Sequence, residues 1–311
     1  MSKISKCVIF GGTGFIGANL AQKLSSISGE IIVLTRNPES NKNLKVIPNL
    51  KLVSCSLNDD KSIRDNLKNA DLVINTVGIL NETDQINSFY NIHFQLIEKI
   101  SLSIKSNSVK RFLHISSLNA RVNEMSDYLH TKGLAEQLIL SETLKFCNVT
   151  IFRPSIVFGE QDSFFNKFAK MLKFIPIFPL ACPNARFQPV YVEDLTDFMV
   201  ECIFDKKTYG EKINVTGPRE YSFIELIKKT IGVMKIRRIV IPLNDFLSKI
   251  QAHVFQNLPG KLFTIDNFKS LKVDSVSKSG FKGKSTVEDI IPKYLKIKDG
   301  GLELRKKAGR K

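Results

Sequence analysis

The sequence predicts an α/β protein, a doubly wound parallel sheet followed by a smaller α+β C-terminal lobe, and three observations carry that expectation. Apolar runs of strand length alternate with segments of helical period up to about residue 160. The first run, Cys7-Val8-Ile9-Phe10, breaks into Gly11-Gly12-Thr13-Gly14-Phe15-Ile16-Gly17 and then into a helical pattern through Leu20 and Leu24. Past Gly159 the alternation weakens, and phenylalanines and prolines crowd the chain.

The glycine turn is the most specific of these signals. Gly11 and Gly14 let the backbone turn tightly and approach a pyrophosphate, and Gly17 lets the helix pack on the strand. The helix N-terminus adds free N–H groups for the phosphates. Thr13, Phe15 and Ile16 complete this candidate cofactor-binding turn.

Composition sets the outer bounds. A chain of 311 residues with 43% hydrophobic content can bury a full core. No run approaches the roughly 20 apolar residues of a spanning helix, and the first strand starts a few residues from Met1. No signal, transit or transmembrane segment is therefore expected, which fits a cytoplasmic protein. The five cysteines (Cys7, Cys55, Cys147, Cys182, Cys202) are scattered, odd in number and without CxxC spacing, arguing against a disulfide framework and a zinc site. Net charge is +16, and Lys293 to Lys311 holds eight basic and two acidic residues. That tail suits an anionic membrane surface, an acidic partner or a simply solvated end. With no RRM or KH signature, a nucleic-acid partner is not expected.

In chain order, Glu30–Leu34 reads as the second strand, ending in Thr35-Arg36-Asn37-Pro38. An acid near this position binds the ribose 2′-hydroxyl of NAD, whereas an arginine suits a 2′-phosphate, or stacks on adenine without selecting one. Arg36 tilts the expectation towards NADP(H) over NAD(H). Leu50–Val53 is a third strand, Asp60–Leu67 a helix and Ala70–Asn75 a fourth strand closing in Asn75-Thr76-Val77-Gly78. Asn75 either caps that strand end or shapes the cofactor wall, with Val77 and Gly78 beside it. Asn87–Asn107 is predicted as one long amphipathic helix, with His93 in the core and needing no metal. Arg111–Ile115 is the fifth strand and ends in Ser116-Ser117.

Tyr128 and Lys132 follow at a spacing that stacks phenol and ammonium on one helical face. A tyrosine with a pKa near 10 works as an acid–base group at neutral pH only if a neighbouring cation favours its phenolate. Lys132 is the candidate cation, and Ser116 or Ser117 the candidate to hold a substrate carbonyl.

Together, the Gly11–Gly17 turn, the stretch 75–78, the serines at 116–117, Tyr128-Leu-His-Thr-Lys132 and Arg153-Pro-Ser-Ile-Val-Phe-Gly159 resemble the extended short-chain dehydrogenase/reductase superfamily. Arg153 to Phe168, Phe187 to Asp194, Leu258-Pro-Gly, Asp266 and Thr286 to Leu295 are similar to its atypical branch, which contains the NAD(P)H-binding accessory subunit of respiratory complex I and bacterial relatives. The resemblance implies a Rossmann-type domain over residues 1–160, rejoined by a segment near 185–215. It further implies a discontinuous substrate-side lobe within 161–295, with the basic tail at 296–311. It puts Gly11, Gly14 and Gly17 at the pyrophosphate, Arg36 at the adenosine phosphate, Lys132 at the nicotinamide ribose and Tyr128 at the acid–base position. Pro154 and Ile156 join the cofactor contacts. Ser117 best matches the superfamily serine, with Ser116 its neighbour. The sequence departs from the pattern after the third strand, where Ser54-Cys55-Ser56-Leu57 stands in place of the adenine-binding Asp.

Two functions follow from the resemblance. One is an accessory or assembly protein of a respiratory complex, peripheral at the inner face of the membrane and holding NADPH structurally. The other is an active NADP-dependent oxidoreductase or epimerase on a carbonyl or sugar-nucleotide substrate, using Tyr128 and Lys132.

In the second half, Phe164 to Leu172 is predicted as an apolar helix running on into Pro176 and Pro179. Tyr191–Asp194 opens another, with Asp194 as a cap or a strut between lobes. Ile213–Val215 is a strand, Ser222–Glu225 a capping box, Arg237–Pro242 a strand and Asn244–Asn257 a helix.

Overall fold

A computed structural model describes residues 4–258 and 260–295 of the chain; the basic tail at 296–311 lies outside them. The first half alternates as the sequence predicts: β1 (Ile4–Phe10), α1 (Phe15–Leu24), β2 (Ser28–Thr35), β3 (Leu50–Ser54), α2 (Asp60–Asn66) and β4 (Leu72–Asn75). The helix expected over 87–107 has two parts, a π-helical turn at Tyr90–Gln95 running into α3 (Leu96–Asn107). Then come β5 (Arg111–Ile115), α4 (Asp127–Ser141) and β6 (Asn148–Pro154).

The second half holds β7 (Val157–Phe158), α5 (Phe165–Phe174), β8 (Ile177–Leu180), β9 (Arg186–Phe187), β10 (Val190–Tyr191), α6 (Val192–Phe204) and β11 (Glu211–Thr216). It closes with β12 (Tyr221–Ser222), α7 (Phe223–Met234), β13 (Ile239–Pro242), α8 (Asp245–Phe255), α9 (Ile265–Ser270), β14 (Phe281–Lys282) and α10 (Val287–Tyr294).

Eight strands form one parallel sheet in the order β14-β11-β6-β5-β4-β1-β2-β3. Parallel neighbours need crossovers, which place helices on both faces and bury both. Successive side chains of β1 accordingly divide between two cores. Val8 and Phe10 pack with Ile63, Ile97, Ile100 and Ile139 of α2, α3 and α4. Cys7 and Ile9 pack with Leu20, Leu24, Leu195 and Met199 of α1 and α6. Each such side chain, fully buried, stabilises the fold by roughly 1.5–3 kcal/mol. The register pairs Phe10 with Leu34 and with Asn75, and Asn75 with His114, so the carboxyl ends of β1, β2, β4 and β5 form one edge.

A third core, built on Phe158, Phe165, Leu172, Phe187, Phe223, Leu226 and Ile291, belongs to the second lobe. The chain returns to the large sheet through β11 and again, unanticipated by the sequence, through β14. Asp194 is a strut: its carboxylate accepts the backbone N–H groups of Lys284 and Ser285, both at 2.8 Å, and so holds the segment after β14.

One expected element is corrected. The helix at 165–174 does not continue into Pro176 and Pro179; it stops at Phe174, and Ile177–Leu180 is a strand paired in parallel with β13. A proline lacks the N–H a helix needs and its ring crowds the preceding turn, and the residues from Ile177 to Leu180 alternate exposed and buried.

Candidate functional site

The carboxyl edge of the sheet opens into a cleft of about 540 Å³ between the glycine turn, the ends of β2, β3 and β4, and the first turns of the 90–107 helix. Ligands of open α/β sheets bind at this edge, where the strand order reverses. Here the reversal lies between β1 and β4.

Backbone conformation builds the floor. Gly11 has φ +75°, and a Cβ on it would stand 2.8 Å from the Thr76 hydroxyl and 2.9 Å from the Val77 nitrogen. A Cβ on Gly17 would lie 2.3 Å from the Gly11 carbonyl oxygen, so only glycine lets α1 sit this close to the turn. The Gly14 N–H donates to the Gly11 oxygen at 2.9 Å, and the first helical bond runs from Ala18 to Gly14 at 2.8 Å. Gly14 provides no side-chain cap and the first turn of α1 contains no acid. Its leading N–H groups are thus left for an anion. Among the described residues, the charged ones lining the cleft, Arg36 and Lys99, are both cationic, and none is a carboxylate. Lys99 is held at the rim by Asp60 at 3.0 Å. A polyanionic dinucleotide fits this donor set.

Gly78 connects the cleft to a second group of side chains. A Cβ on Gly78 would be 3.3 Å from the Lys132 Nζ, so the ammonium lies directly beneath a residue of the cleft wall. Lys132 is buried and donates to the carbonyl oxygens of Ile115 at 3.1 Å and Val77 at 3.5 Å. Burial lowers its pKa to about 8, against the pull of Glu136 one turn along α4. Two buried histidines feel the same ammonium. Burial, and then Lys132, hold both His93 and His114 well below the usual imidazole value. The His93 Nε2 accepts the Ile79 N–H at 3.1 Å, which leaves the proton on Nδ1, 3.1 Å from the Thr131 hydroxyl.

Tyr128 stands edge-on to the rings of Phe89 and His93, at 5.9 and 5.4 Å between centroids. Burial pushes its phenol up, opposed by the Ser117 hydroxyl beside it and assisted by Asp266. Contrary to the expectation that Lys132 favours the phenolate, two of the ammonium's donors go to backbone carbonyls and burial pushes the phenol up. Ser116 is engaged elsewhere: its hydroxyl donates to the buried Glu136 at 2.6 Å, a carboxylate also gripped by Arg153 through Nε at 2.7 Å and through a second guanidinium nitrogen.

The residues singled out in the sequence therefore separate. Gly11, Thr13, Gly14, Arg36, Val77 and Gly78 line the cleft; Lys132, Tyr128 and Ser117 cluster beyond Gly78. Several do not line it. Asn75 is buried, accepting the Val77 N–H at 3.2 Å and donating to the His114 Nδ1 at 3.2 Å, so it caps the strand end. The Phe15 ring packs under Gly159, Ile16 against the core shared by α1 and α6, and Ile156 in the second lobe, while Pro154 is buried at the end of β6. In place of the absent adenine-binding Asp, Ser56, Leu57 and Asn58 border the cleft.

Sequence reading missed Lys99, Asn91 and Gln95 on the cleft wall and the Asp266 clamp on α4. The spacing of Asn91, Gln95 and Lys99 at four-residue steps was the available signal. For Asp266, whose partners lie about 140 residues earlier, there was none in local pattern.

Comparison with known proteins gives a consistent set of likenesses. The profile described as the NAD dependent epimerase/dehydratase family matches residues 7–216. Over 267 residues the chain is 29% identical to the mouse protein named NADH dehydrogenase (ubiquinone) 1 alpha subcomplex subunit 9, mitochondrial, covering 84% of this chain and 67% of that one. It is 27% identical over 221 residues to the NADH-ubiquinone oxidoreductase 40 kDa subunit, mitochondrial, of Neurospora crassa, covering 70% of this chain and 57% of the relative. Among solved structures, the epimerase Mth375 from Methanothermobacter thermautotrophicus superposes with a TM-score of 0.69 at 18% identity, over 99% of this chain and 96% of that one, a likeness of fold.

Proposed function

The chain belongs to the NAD dependent epimerase/dehydratase family, and from that membership we propose that it is an accessory subunit or assembly factor of a respiratory NADH:ubiquinone oxidoreductase, holding NADPH in a largely structural role. The observation that carries this proposal is the 267-residue likeness to the mouse subunit. In this proposal residues 1–160, with the strands that return to the sheet, bind the dinucleotide, and the lobe within 161–295 covers it.

When bound, a nicotinamide dinucleotide supplies hydride transfer. The chain's own residues hold it: the N–H groups at the start of α1 receive the pyrophosphate, and Arg36 receives a 2′-phosphate as a fork of donors. Lys132 has three N–H donors, two of them committed to Ile115 and Val77, and offers the third towards a ribose hydroxyl. The Lys132 ammonium, bonded to the Ile115 and Val77 carbonyls, supports a holding role over turnover.

The test has two parts. Nucleotide released from the denatured protein is identified by mass, with NADPH expected. Native electrophoresis of solubilised respiratory membranes then follows the chain against NADH dehydrogenase activity. Co-migration supports the proposal; migration only as a free protein overturns the subunit role while leaving the cofactor result standing.

A second reading, an active oxidoreductase or epimerase, is favoured by the placement of Ser117 beside Tyr128 with Lys132 one turn further along α4. There Tyr128 delivers a proton to a carbonyl that Ser117 orients. Tyr128→Phe should then abolish turnover of the true substrate and leave dinucleotide affinity unchanged; equal turnover would remove Tyr128 from the chemistry.

A further inference from the structure

The second lobe carries an apolar surface that no part of the described chain covers. In the parallel pair β8/β13, Ile239 lies opposite Ile177 and Ile241 opposite Pro179. Because strand side chains alternate, these four share one face, and all four are exposed, Ile239 at 63%. Phe174, just before β8, is 80% exposed.

Helix α8 adjoins this face, tied to it by the Gln251 side chain donating to the Pro179 oxygen at 2.9 Å and by the Leu243 N–H donating to the Leu180 oxygen at 2.9 Å. Ser248 and Ala252 form the buried side of α8. At about 100° per residue, Phe246, Ile250, Val254 and Leu247 fall within an arc of about 100° on the opposite side, with Lys249 and His253 along one border. All four of these apolar residues are exposed, Phe246 at 72%. Soluble proteins rarely leave so many large apolar side chains together in water without a partner.

Charge narrows the partner. Residues 165–182 and 235–255, which form α5, β8, β13 and α8, contain seven basic residues and one acid, Asp245, and that acid is paired with Lys272. A second copy of this chain would bring one basic face against another. No helix among the described residues is long and apolar enough to cross a membrane. Apolar side chains bordered by lysine and arginine, on a helix too short to span, are suited to lying in the interface of a negatively charged bilayer.

We propose that β8, β13 and α8 form a face that seats on an anionic lipid bilayer, with Phe246, Ile250 and Val254 entering the headgroup boundary and Lys249 and Arg237 meeting lipid phosphates. This docking does not depend on the dinucleotide or on the respiratory-subunit proposal. It is also separate from the basic tail at 296–311, which lies outside the described residues.

The test is co-sedimentation of the full chain with phosphatidylcholine vesicles, with and without phosphatidylglycerol. Two double variants are compared with the parent, Phe246→Ser with Ile250→Ser and Arg237→Glu with Lys249→Glu, and every protein keeps the tail. The parent is expected to partition onto the anionic vesicles and only weakly onto phosphatidylcholine alone. Each double variant should lose on the order of tenfold or more in partitioning. Undiminished binding by the Ser/Ser variant, equal binding to both vesicle types, or no binding by the parent overturns the proposal. So does capture of an acidic protein through these same residues while vesicles are ignored. The charge-reversal pair changes only exposed positions, so it decides the matter should the Ser/Ser pair lower the melting temperature.

Discussion

The Asp266 carboxylate accepts the Ser126 hydroxyl at 3.0 Å, so a residue of the second lobe completes the N-terminus of the helix that carries Tyr128. The same carboxylate accepts the backbone N–H groups of Asp127 at 2.5 Å and Tyr128 at 3.3 Å. Asp266→Ala removes a charged acceptor from three donors and should lower stability by roughly 1–3 kcal/mol. Urea denaturation would register this as a lower midpoint at unchanged slope, and Asp266→Asn, which keeps one acceptor oxygen, should cost less.

Arg36 is exposed at the end of β2 on the cleft wall. If it binds a 2′-phosphate, Arg36→Ala should weaken NADPH binding by on the order of tenfold or more and change NADH binding little. Titration calorimetry with both nucleotides checks this. Equal losses for the two would assign Arg36 to the adenine instead.

Lys132 makes stability depend on pH in a definite direction. Its folded pKa, about 8, lies below the ordinary lysine value of 10.5. Below pH 8 both states are protonated and the cost of burying the ammonium is fully present. Between about 8 and 10.5 the unfolded chain holds more protons, so stability gains as pH rises. Lys132→Met removes this dependence. The stability advantage of the variant over the parent should therefore shrink as pH climbs from 8 to 10, as read from denaturation midpoints at each pH.

Glu136 is a hub for Ser116 and Arg153, with Lys212 at 3.9 Å. Glu136→Ala strands the Arg153 guanidinium, whose side chain is only 17% exposed, and should cost about 3–5 kcal/mol. Adding Arg153→Met should recover part of the loss. A double-mutant cycle measures the coupling directly.

What could be read from the sequence follows the range of the interactions involved. The Gly11–Gly17 turn is legible because its demands, a positive φ at Gly11 and the contact of Gly17 with the Gly11 carbonyl, arise within seven residues. Strands β1, β2, β4 and β5 are legible because burial on both faces leaves largely apolar runs, and β3, at the sheet edge, keeps only the alternation of Leu50 and Leu52 with Lys51. The pairing of β8 with β13 joins segments more than sixty residues apart, and neither shows a long apolar run, so β8 passed as the end of a helix. The roles of Ser116 and Ser117 depend on which faces Glu136 and which faces Tyr128. Their order in the chain does not contain that information.

The π-helical turn at Tyr90–Gln95 works as a phase corrector. In an α-helix a four-residue step overshoots a full revolution by about 40°. The wider π turn, with its i→i+5 bonding, rotates less per residue and takes back much of that excess. Asn91, Gln95 and Lys99 thereby stay in one column along the cleft, when uniform α-helix would carry Lys99 well around the barrel of the helix. The length of this segment is thus a calibrated dimension. Removing a single residue from it would let the wide turn close into α-helix and break the column of Asn91, Gln95 and Lys99, while the buried ridge of Ile97, Ile100 and Ile104 keeps its place.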